Sequence, residues 1–482
     1  MQTGWRIATL PVSRPQFWWL CFGLLALSFL PSLRFYYVGE EAILPLTSLE
    51  MGFRGDWLHH TIYGLPVGHN PLFNWLLIPL ASMAGWEHGL LLSRVLMVAS
   101  CLLTALILAS LARRLFGDPG FAAFAAVIYL SLGDLFLWRG ALAYVDPLFG
   151  LFVFGSIASL WLACEKRSMA WLLMAMAALT AAFLTKTLTA YVFYAASGFV
   201  LLFRSEYRRF LLRPASIAVH AAGLGAAAYW LGVVVGGQGH SRWMLQEVLL
   251  KLMPEGAGAY LRRLVAYPAD VLVRLSPPCA LALYVIVRKR VTAPEVAIAH
   301  FWTAAAIAGL NFLPYWLAPQ GGIRYLIPIF PLFALVFARL IWRAGEKALQ
   351  LTVRWLIVML VLKLVFVLVA YPYYQATYRG NNYAEAARDV LSVTHGLTLY
   401  ADDVTAAGLS VVTHLDILRL PEPFVKYPPQ RWAEGFLLTG VDAARKGQIV
   451  KHYQLGGTRL LLVCRGVACD AVGRQTGGFS QK

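Results

Sequence analysis

Charge is scarce in this chain. Only 13% of its 482 residues are Asp, Glu, Lys or Arg, against 59% hydrophobic, and mean hydropathy is +0.64. A soluble chain of this length has no way to bury that much apolar surface, so a soluble globular protein is excluded and a polytopic membrane protein remains. Acid is scarcer than base, 24 residues against 41, giving a formal net charge of +17. No basic stripe with interleaved aromatics accompanies the excess, so no nucleic-acid partner is expected. The basic residues instead form short clusters between apolar segments, the pattern of cytoplasmic loops facing anionic lipid. Cysteine is sparse too: six residues, with no CxxC zinc knuckle. Cys21, Cys101, Cys164 and Cys279 lie in or beside apolar segments and read as inert small hydrophobes. Cys464 and Cys469 lie in the polar C-terminal part. They form a short disulfide if that part faces an oxidising compartment, or stay two free thiols. Missing as well are a long internal repeat, a low-complexity linker and a Gly-rich phosphate loop opening a helix; Gly236-Gly237 lacks the strand–helix context. No small-residue cleavage site follows the first apolar segment, which therefore reads as a retained span.

What is present is a series of apolar segments, each near the 20 residues a spanning helix needs. They fall near 16–33, 87–112, 119–137, 141–163, 169–186, 188–203, 214–235, 269–287, 296–316, 323–341 and 353–374. Residues 71–84 are apolar but short, and suit an interfacial or re-entrant helix. The expected fold is a polytopic α-helical membrane protein of about eleven to thirteen transmembrane helices with a small C-terminal α/β extracytoplasmic domain. With the N-terminus inside, alternation puts every strongly basic short loop on one side, including Arg113-Arg114, Lys166-Arg167 and Arg288-Lys289-Arg290. The other side receives the external loop 34–86, the Lys186 turn, residues 236–268, the turn before Arg324, and the C-terminus. The expected division is a transmembrane catalytic part, 1–377, and a soluble periplasmic α/β domain, 378–482. In that domain NNYAEAARDVLSV reads as an amphipathic helix, 403–413 as a helix, and LTLYA (397–401), LDILRL (415–420) and TRLLLVC (458–464) as strands.

Polar chemistry concentrates between Val38 and Pro79. The stretch holds Glu40 and Glu41, a Gly-Asp-Trp turn at Gly55, Asp56 and Trp57, and His69 beside Asn70-Pro71-Leu72. Asp146 in AYVDPLFG, Lys186 in FLTKTLTAY and Arg324 in GGIRYLIPIFPL join it on the same predicted face. One ionisable residue at a span end is commonly an interfacial anchor. Acids and bases from five places gathered on one face raise the expectation of a site.

The order of these motifs resembles the GT-C glycosyltransferases that use polyprenyl-phosphate sugars, in particular the group of the lipid A aminoarabinose transferase and its protein O-mannosyltransferase relatives. In those families an acidic pair opens the first external loop, a Gly-Asp-Trp turn follows, and a proline turn leads into apolar aromatics. Here the pair falls on Glu40-Glu41 and the proline turn on His69-Asn70-Pro71-Leu72. Leu142 to Pro147 is similar to the second acidic motif, Phe183 to Lys186 to the lysine motif, and Arg324 to Pro328 to an Arg-Tyr-Leu-Leu-Pro motif. The chain departs from the pattern in having Glu rather than Asp at 40, and His69-Asn70 in the proline turn.

The resemblance implies an inverting sugar transfer from a polyprenyl-phosphate donor to a cell-envelope acceptor, lipid A or lipopolysaccharide, on the periplasmic face of the bacterial inner membrane. Lys186 and Arg324, with His69 as a third, would stabilise charge on the donor phosphate. Glu40 would act as base or orient an anionic acceptor, with Glu41 and Asp146 beside it. These carboxylates also suit a divalent cation, but related enzymes are not generally taken to need one, so no metal and no cofactor are assigned. The loop at 236–268, with Arg242, Arg262 and Arg263, is expected to close over the donor. The alternatives are a protein acceptor, and a transporter or flippase, for which the one-sided charge is atypical.

Overall fold

The computed structural model of the chain describes residues 11–68, 70–234, 256–288, 297–378, 382–394, 396–422, 424–440 and 447–471. It divides into two compact units. One holds the residues up to Leu30, Met97–Ala141 and Val145–Leu364; the other holds Pro31–Leu96, Leu142–Tyr144 and the chain from Val365 onward.

The first unit is helical. Its elements are α1 (Pro15–Leu27), α5 (Pro119–Leu130), α6 (Asp146–Lys166), α7 (Met169–Thr185), α8 (Thr189–Leu202), α9 (Ser205–Leu211), α10 (Pro214–Tyr229), α11 (Ala257–Arg274), α12 (Pro278–Val287), α13 (Ile298–Leu317), α14 (Phe330–Arg343) and most of α15 (Glu346–Val365). Proline opens several of them, where its fixed φ suits the first turn and its missing N–H costs nothing. At α5 the Asp118 carboxylate also accepts from the Gly120 and Phe121 amides at 2.8 and 3.1 Å. α6 is the centre of the unit: almost wholly buried, it packs on α7, α8 and a 3₁₀ segment, Ile323–Ile329. Gly150 permits that last approach, since a Cβ there would stand 3.0 Å from Ile327.

Every segment read as a span contains helix. The segment at 141–163 starts later than expected, at Asp146, because residues 141–145 form a turn. The segment at 269–287 is broken between α11 and α12, which meet at 102°. Among the described residues six helices are long and apolar enough to cross a membrane, seven if that bent pair is one span. Residues 72–84, α5, α7 and α8 are apolar but shorter.

The second unit joins distant stretches of sequence. α2 (Ile43–Arg54) ends at Gly55 in the left-handed conformation, and α3 (Leu72–Ala84) follows a two-strand hairpin, β1 (Thr61–Ile62) and β2 (Leu65–Pro66). α4 (Gly89–Phe116) starts in this unit and runs into the other. After α16 (Tyr371–Tyr378) come α17 (Tyr383–Thr394), β3 (Leu399–Ala401), α18 (Ala406–Arg419), β4 (Gly435–Gly440), β5 (Gln448–Leu455) and β6 (Thr458–Arg465). The sheet order is β3-β4-β6-β5, with β3 and β4 parallel and the other pairs antiparallel. Cys464 and Cys469 form a disulfide. Its largest apolar core joins early and late stretches: Tyr37, Ala42, Leu46 and Tyr63 pack with Val390, Val412, Phe436 and Leu460.

One expectation for this sheet fails, and two of its strands were not expected. LDILRL is the end of α18, not a strand. That helix is buried on most of its surface, so its apolar run lacks the polar face that marks a helix in sequence. β4 and β5 are strands that the sequence did not disclose.

Candidate active site

In the helical unit three elements bring the predicted charges together. Asp146 is the first residue of α6, Lys186 caps the end of α7, and Arg324 and Tyr325 lie in the segment Ile323–Ile329. The Lys186 ammonium donates to the Asp146 carboxylate in a short contact, with 17% and 5% of the two side chains exposed. The same ammonium stands 4.7 Å above the Tyr325 ring. The Arg324 guanidinium lies 5.3 Å from the centre of that ring, and its Nη2 donates to the Tyr325 hydroxyl at 3.3 Å. Two cations therefore share one aromatic platform. Tyr315 stacks on Tyr325 at 6.4 Å, and Phe193 on Tyr315 at 5.3 Å.

Arg263 in α11 adds a third cation. Its guanidinium donates to the carbonyls of Ala318 and Tyr315 at 2.8 and 3.2 Å, and a Cβ at Gly321 would stand 2.9 Å from its Nη2. Among the described residues the cluster carries three cations to one carboxylate, an excess that suits a phosphate ester partly removed from water. Residues 235–255, and so Arg242 and much of the expected lid, lie outside the described residues.

In the other unit, the acidic pair occupies a 3₁₀ turn, Gly39–Ala42. The two acids are placed differently. Glu41 is fully buried and forms a two-point ion pair with Arg94 of α4, at 2.9 Å from Nε and 2.5 Å from Nη2. It also accepts from the amides of Val38 and Ala143 at 2.8 and 2.6 Å. Arg94 turns its remaining donors onto the carbonyls of Phe35 and Tyr36 at 2.6 and 2.9 Å, and onto Ser32 and Leu33 at longer range. Glu41 is thus spent on holding the chain. Glu40 is exposed, and its carboxylate has no ion pair among the described residues. Tyr144 fixes its backbone: the hydroxyl accepts from the Glu40 amide at 3.3 Å and donates to the Val38 carbonyl at 3.2 Å. Gly39 has φ +59, and any side chain there would strike that hydroxyl.

A further buried acid lies behind them. Glu50 accepts from the Thr61 hydroxyl and from the Tyr63 and Gly64 amides at 2.8 and 3.2 Å, which ties the hairpin to α2. Burial raises its pKa, against these hydrogen bonds and the nearby Arg54. Asp56 of the Gly-Asp-Trp turn caps its own turn, accepting from the Leu58 and His59 amides at 3.1 Å each. His69 lies outside the described residues. No group of three or more His, Cys, Asp or Glu among the described residues could hold a metal ion.

Sequence reasoning missed Arg94 and Glu50. Each sits alone in an apolar stretch, and its only sequence signal is the cost of placing a charge there.

Residues 68–232 match the sequence model of the dolichyl-phosphate-mannose-protein mannosyltransferase family. Among curated proteins the chain is 29% identical over 188 residues to the undecaprenyl phosphate-alpha-4-amino-4-deoxy-L-arabinose arabinosyl transferase of Pseudomonas aeruginosa strain UCBPP-PA14, covering 38% of this chain and 34% of that protein. It is 29% identical over 160 residues to the second such transferase of Pseudomonas fluorescens, covering 32% and 27%. The matched stretch spans about a third of these relatives' length. The fold match is broader. The crystal structure of ArnT from Cupriavidus metallidurans bound to undecaprenyl phosphate superposes with a TM-score of 0.65 at 14% identity, covering 93% of this chain and 98% of that one. The apo structure of the same protein gives 0.67 at 15% identity. The resemblance to GT-C enzymes of the aminoarabinose transferase type, first read from short motifs, therefore extends to the fold of nearly the whole chain.

Proposed function

We propose that this chain is a glycosyltransferase that moves a sugar from a polyprenyl-phosphate donor to a cell-envelope acceptor, lipid A or lipopolysaccharide. The reaction is an inverting single displacement on the periplasmic face of the bacterial inner membrane. The observation that carries the reading is the convergence of Lys186 and Arg324 on Tyr325, with Asp146 paired to Lys186. Such a constellation suits an anionic ester oxygen; the arabinosyl transferases that match in sequence are named for an undecaprenyl-phosphate sugar, and the ArnT that matches in fold is bound to undecaprenyl phosphate. The Cys464–Cys469 disulfide supports an oxidising, extracytoplasmic setting for the C-terminal part.

In this mechanism the acceptor oxygen attacks the anomeric carbon as the bond from that carbon to the phosphate oxygen breaks. Polyprenyl phosphate leaves, and Lys186 and Arg324 stabilise the charge that grows on it. Asp146 orients Lys186. Glu40, the exposed acid of the pair, takes the proton of an acceptor hydroxyl; with a phosphate acceptor it orients an oxygen that is already anionic. Glu41 positions the turn that presents Glu40. A second reading, with a hydroxyl of a secreted protein as acceptor, draws on the match to a protein mannosyltransferase family.

The test is sugar transfer in proteoliposomes from labelled polyprenyl-phosphate donors to total envelope lipid or to secreted proteins, comparing the intact chain with Glu40→Gln. Labelled glycolipid that disappears with the variant supports the transfer and the role of Glu40. Label on protein alone moves the acceptor. Absence of label with every donor refutes the enzyme and returns the chain to the transporter class.

A further inference from the structure

The reaction proposed above leaves unused a cleft along α4, with its apolar part against α6 and α7. It has two connected parts. One is an apolar cavity of about 530 Å³ between α4, α6 and α7, walled by residues including Leu103, Ile107, Leu162, Trp171 and Ala178. The other, of about 510 Å³, lies where α4 runs out against α5, and is lined by Trp19, Arg113, Arg114 and Pro119 among others. Ser110 lines both, so the two adjoin.

The charges stand at the mouth of the apolar part. Leu103, Ile107, Ser110 and Arg114 follow at steps of four, three and four residues, which puts them on one stripe of α4. The Arg114 guanidinium lies 5.4 Å from the centre of the Trp171 ring, and Trp171 is part of the cavity wall. From Leu103 to Arg114 the stripe is about 16 Å long at the helical rise per residue. Arg113 and Arg114 are both exposed and have no carboxylate partner among the described residues. The half-exposed Trp19 ring is placed as aromatic rings are at a membrane–water interface.

We propose that this composite cleft binds an anionic glycerophospholipid, with its phosphate between Arg113 and Arg114 and an acyl chain along the Leu103–Arg114 stripe. Two unpaired cations select a negative headgroup, and the apolar cavity requires a chain attached to it. A free phosphate would leave the cavity without an occupant. The donor phosphate is excluded from the two arginines by distance. In the transferase reading it sits at Asp146 and Lys186, whereas Arg114 stands over Trp171 near the start of α7, about 22 Å along that helix from Lys186 at its end. The lipid is therefore a second, regulatory or structural, ligand of the membrane-spanning unit. Its binding rests on the cleft alone; only its distinction from the donor site rests on the transferase reading.

The experiment is native mass spectrometry of the full-length chain, delipidated in detergent and titrated with phosphatidylglycerol or phosphatidylcholine of matched acyl chains. Phosphatidylglycerol is expected to bind about thirtyfold more tightly, the contribution of two basic side chains near a headgroup. The R113Q/R114Q double variant should lose that preference while leaving the donor KM in sugar transfer unchanged. Ala178→Phe, which fills the cavity, should weaken both lipids. Equal affinity for the two lipids, or selectivity retained in R113Q/R114Q, would overturn the proposal. So would displacement of phosphatidylglycerol by millimolar inorganic phosphate, which marks a headgroup-only site. A lipid lost only with Lys186→Met would place it in the donor site and overturn the proposal equally.

Discussion

Glu41 and Arg94 face each other with no solvent exposure on either side chain, joined by two charge-assisted hydrogen bonds. They come from the 3₁₀ turn that precedes α2 and from the start of α4. What the pair holds decides what its loss does. Arg94 also caps the carbonyls of Ser32, Leu33, Phe35 and Tyr36, and Glu41 caps the amides of Val38 and Ala143. Glu41→Ala or Arg94→Ala alone should cost about 3–5 kcal/mol, because each leaves a buried charge without its partner. An apolar replacement of both often restores stability at buried pairs. Here it should not, because the carbonyls and amides stay buried and unsatisfied. Thermal unfolding of the two single variants and of the Glu41→Leu/Arg94→Leu double variant checks this; a double variant as stable as the parent contradicts it.

The Asp146–Lys186 pair makes a kinetic prediction. Lys186→Met removes one of the two cations over Tyr325 and should lower kcat/KM for the lipid donor by about 10²–10³. Asp146→Asn keeps the ammonium but loosens its aim, and should cost about tenfold or more. Steady-state transfer in proteoliposomes measures both. Equal activity of all three forms would remove this cluster from the reaction.

Lys363 concerns stability inside the membrane-spanning unit. It is buried in α15 and makes no hydrogen bond among the described residues. Its ammonium lies 3.3 Å and 4.3 Å from the Phe29 and Phe136 ring centres. Cation–π contact is worth about 2 kcal/mol when desolvated, while desolvating the charge costs several kcal/mol. The cost wins, so Lys363→Met should stabilise the protein by about 1–3 kcal/mol, read as a rise in Tm in detergent. A fall in Tm would show that the amine has a partner of more value than the two rings.

His414 gives a pH dependence. Burial, and then the positive charge of Arg388, push its pKa from 6.5 down to about 4. Above pH 6.5 both folded and unfolded forms are neutral and there is no effect. Between pH 6.5 and about 4 only the unfolded chain takes the proton, so stability falls as pH falls, by about 3 kcal/mol in total. Unfolding of the intact chain across pH 4–8, compared with His414→Gln, isolates this contribution. The stability difference should be flat above pH 6.5 and shift against the parent below it. A difference that does not change with pH would contradict the shift.

The membrane class, the apolar segments that hold the helices, and Asp146, Lys186 and Arg324 as conspicuous charges were legible in the sequence, for one reason. Charge within apolar sequence is costly, so few charges occur there, and those few stand out. The same scarcity did not reveal pairing. Glu41 stood out as an acid, but its partner Arg94 is far along the chain, and nothing local in GLLLSRVLM announces it. Glu40 and Glu41 read as equivalent neighbours. Only the turn and the Tyr144 hydroxyl separate an exposed acid from a buried one. In the C-terminal sheet, pattern failed where burial is complete. β4 and α18 are both apolar runs without a polar face, and length alone did not tell strand from helix.

The shared core of the second unit has a consequence for biosynthesis. Tyr37, Leu46 and Tyr63 emerge early, yet their packing partners begin at Tyr383. At translation rates of about 5–20 residues per second, those partners follow on the order of tens of seconds later. Until then the segment from Tyr37 to Tyr63 exposes the apolar face that will become its interior. A chain cut short before the last strand leaves that face uncovered, however well its membrane helices have inserted. The stretch from Tyr383 to β6 therefore acts as a check on translation: only a chain that has reached that last strand can close the loop that carries Glu40.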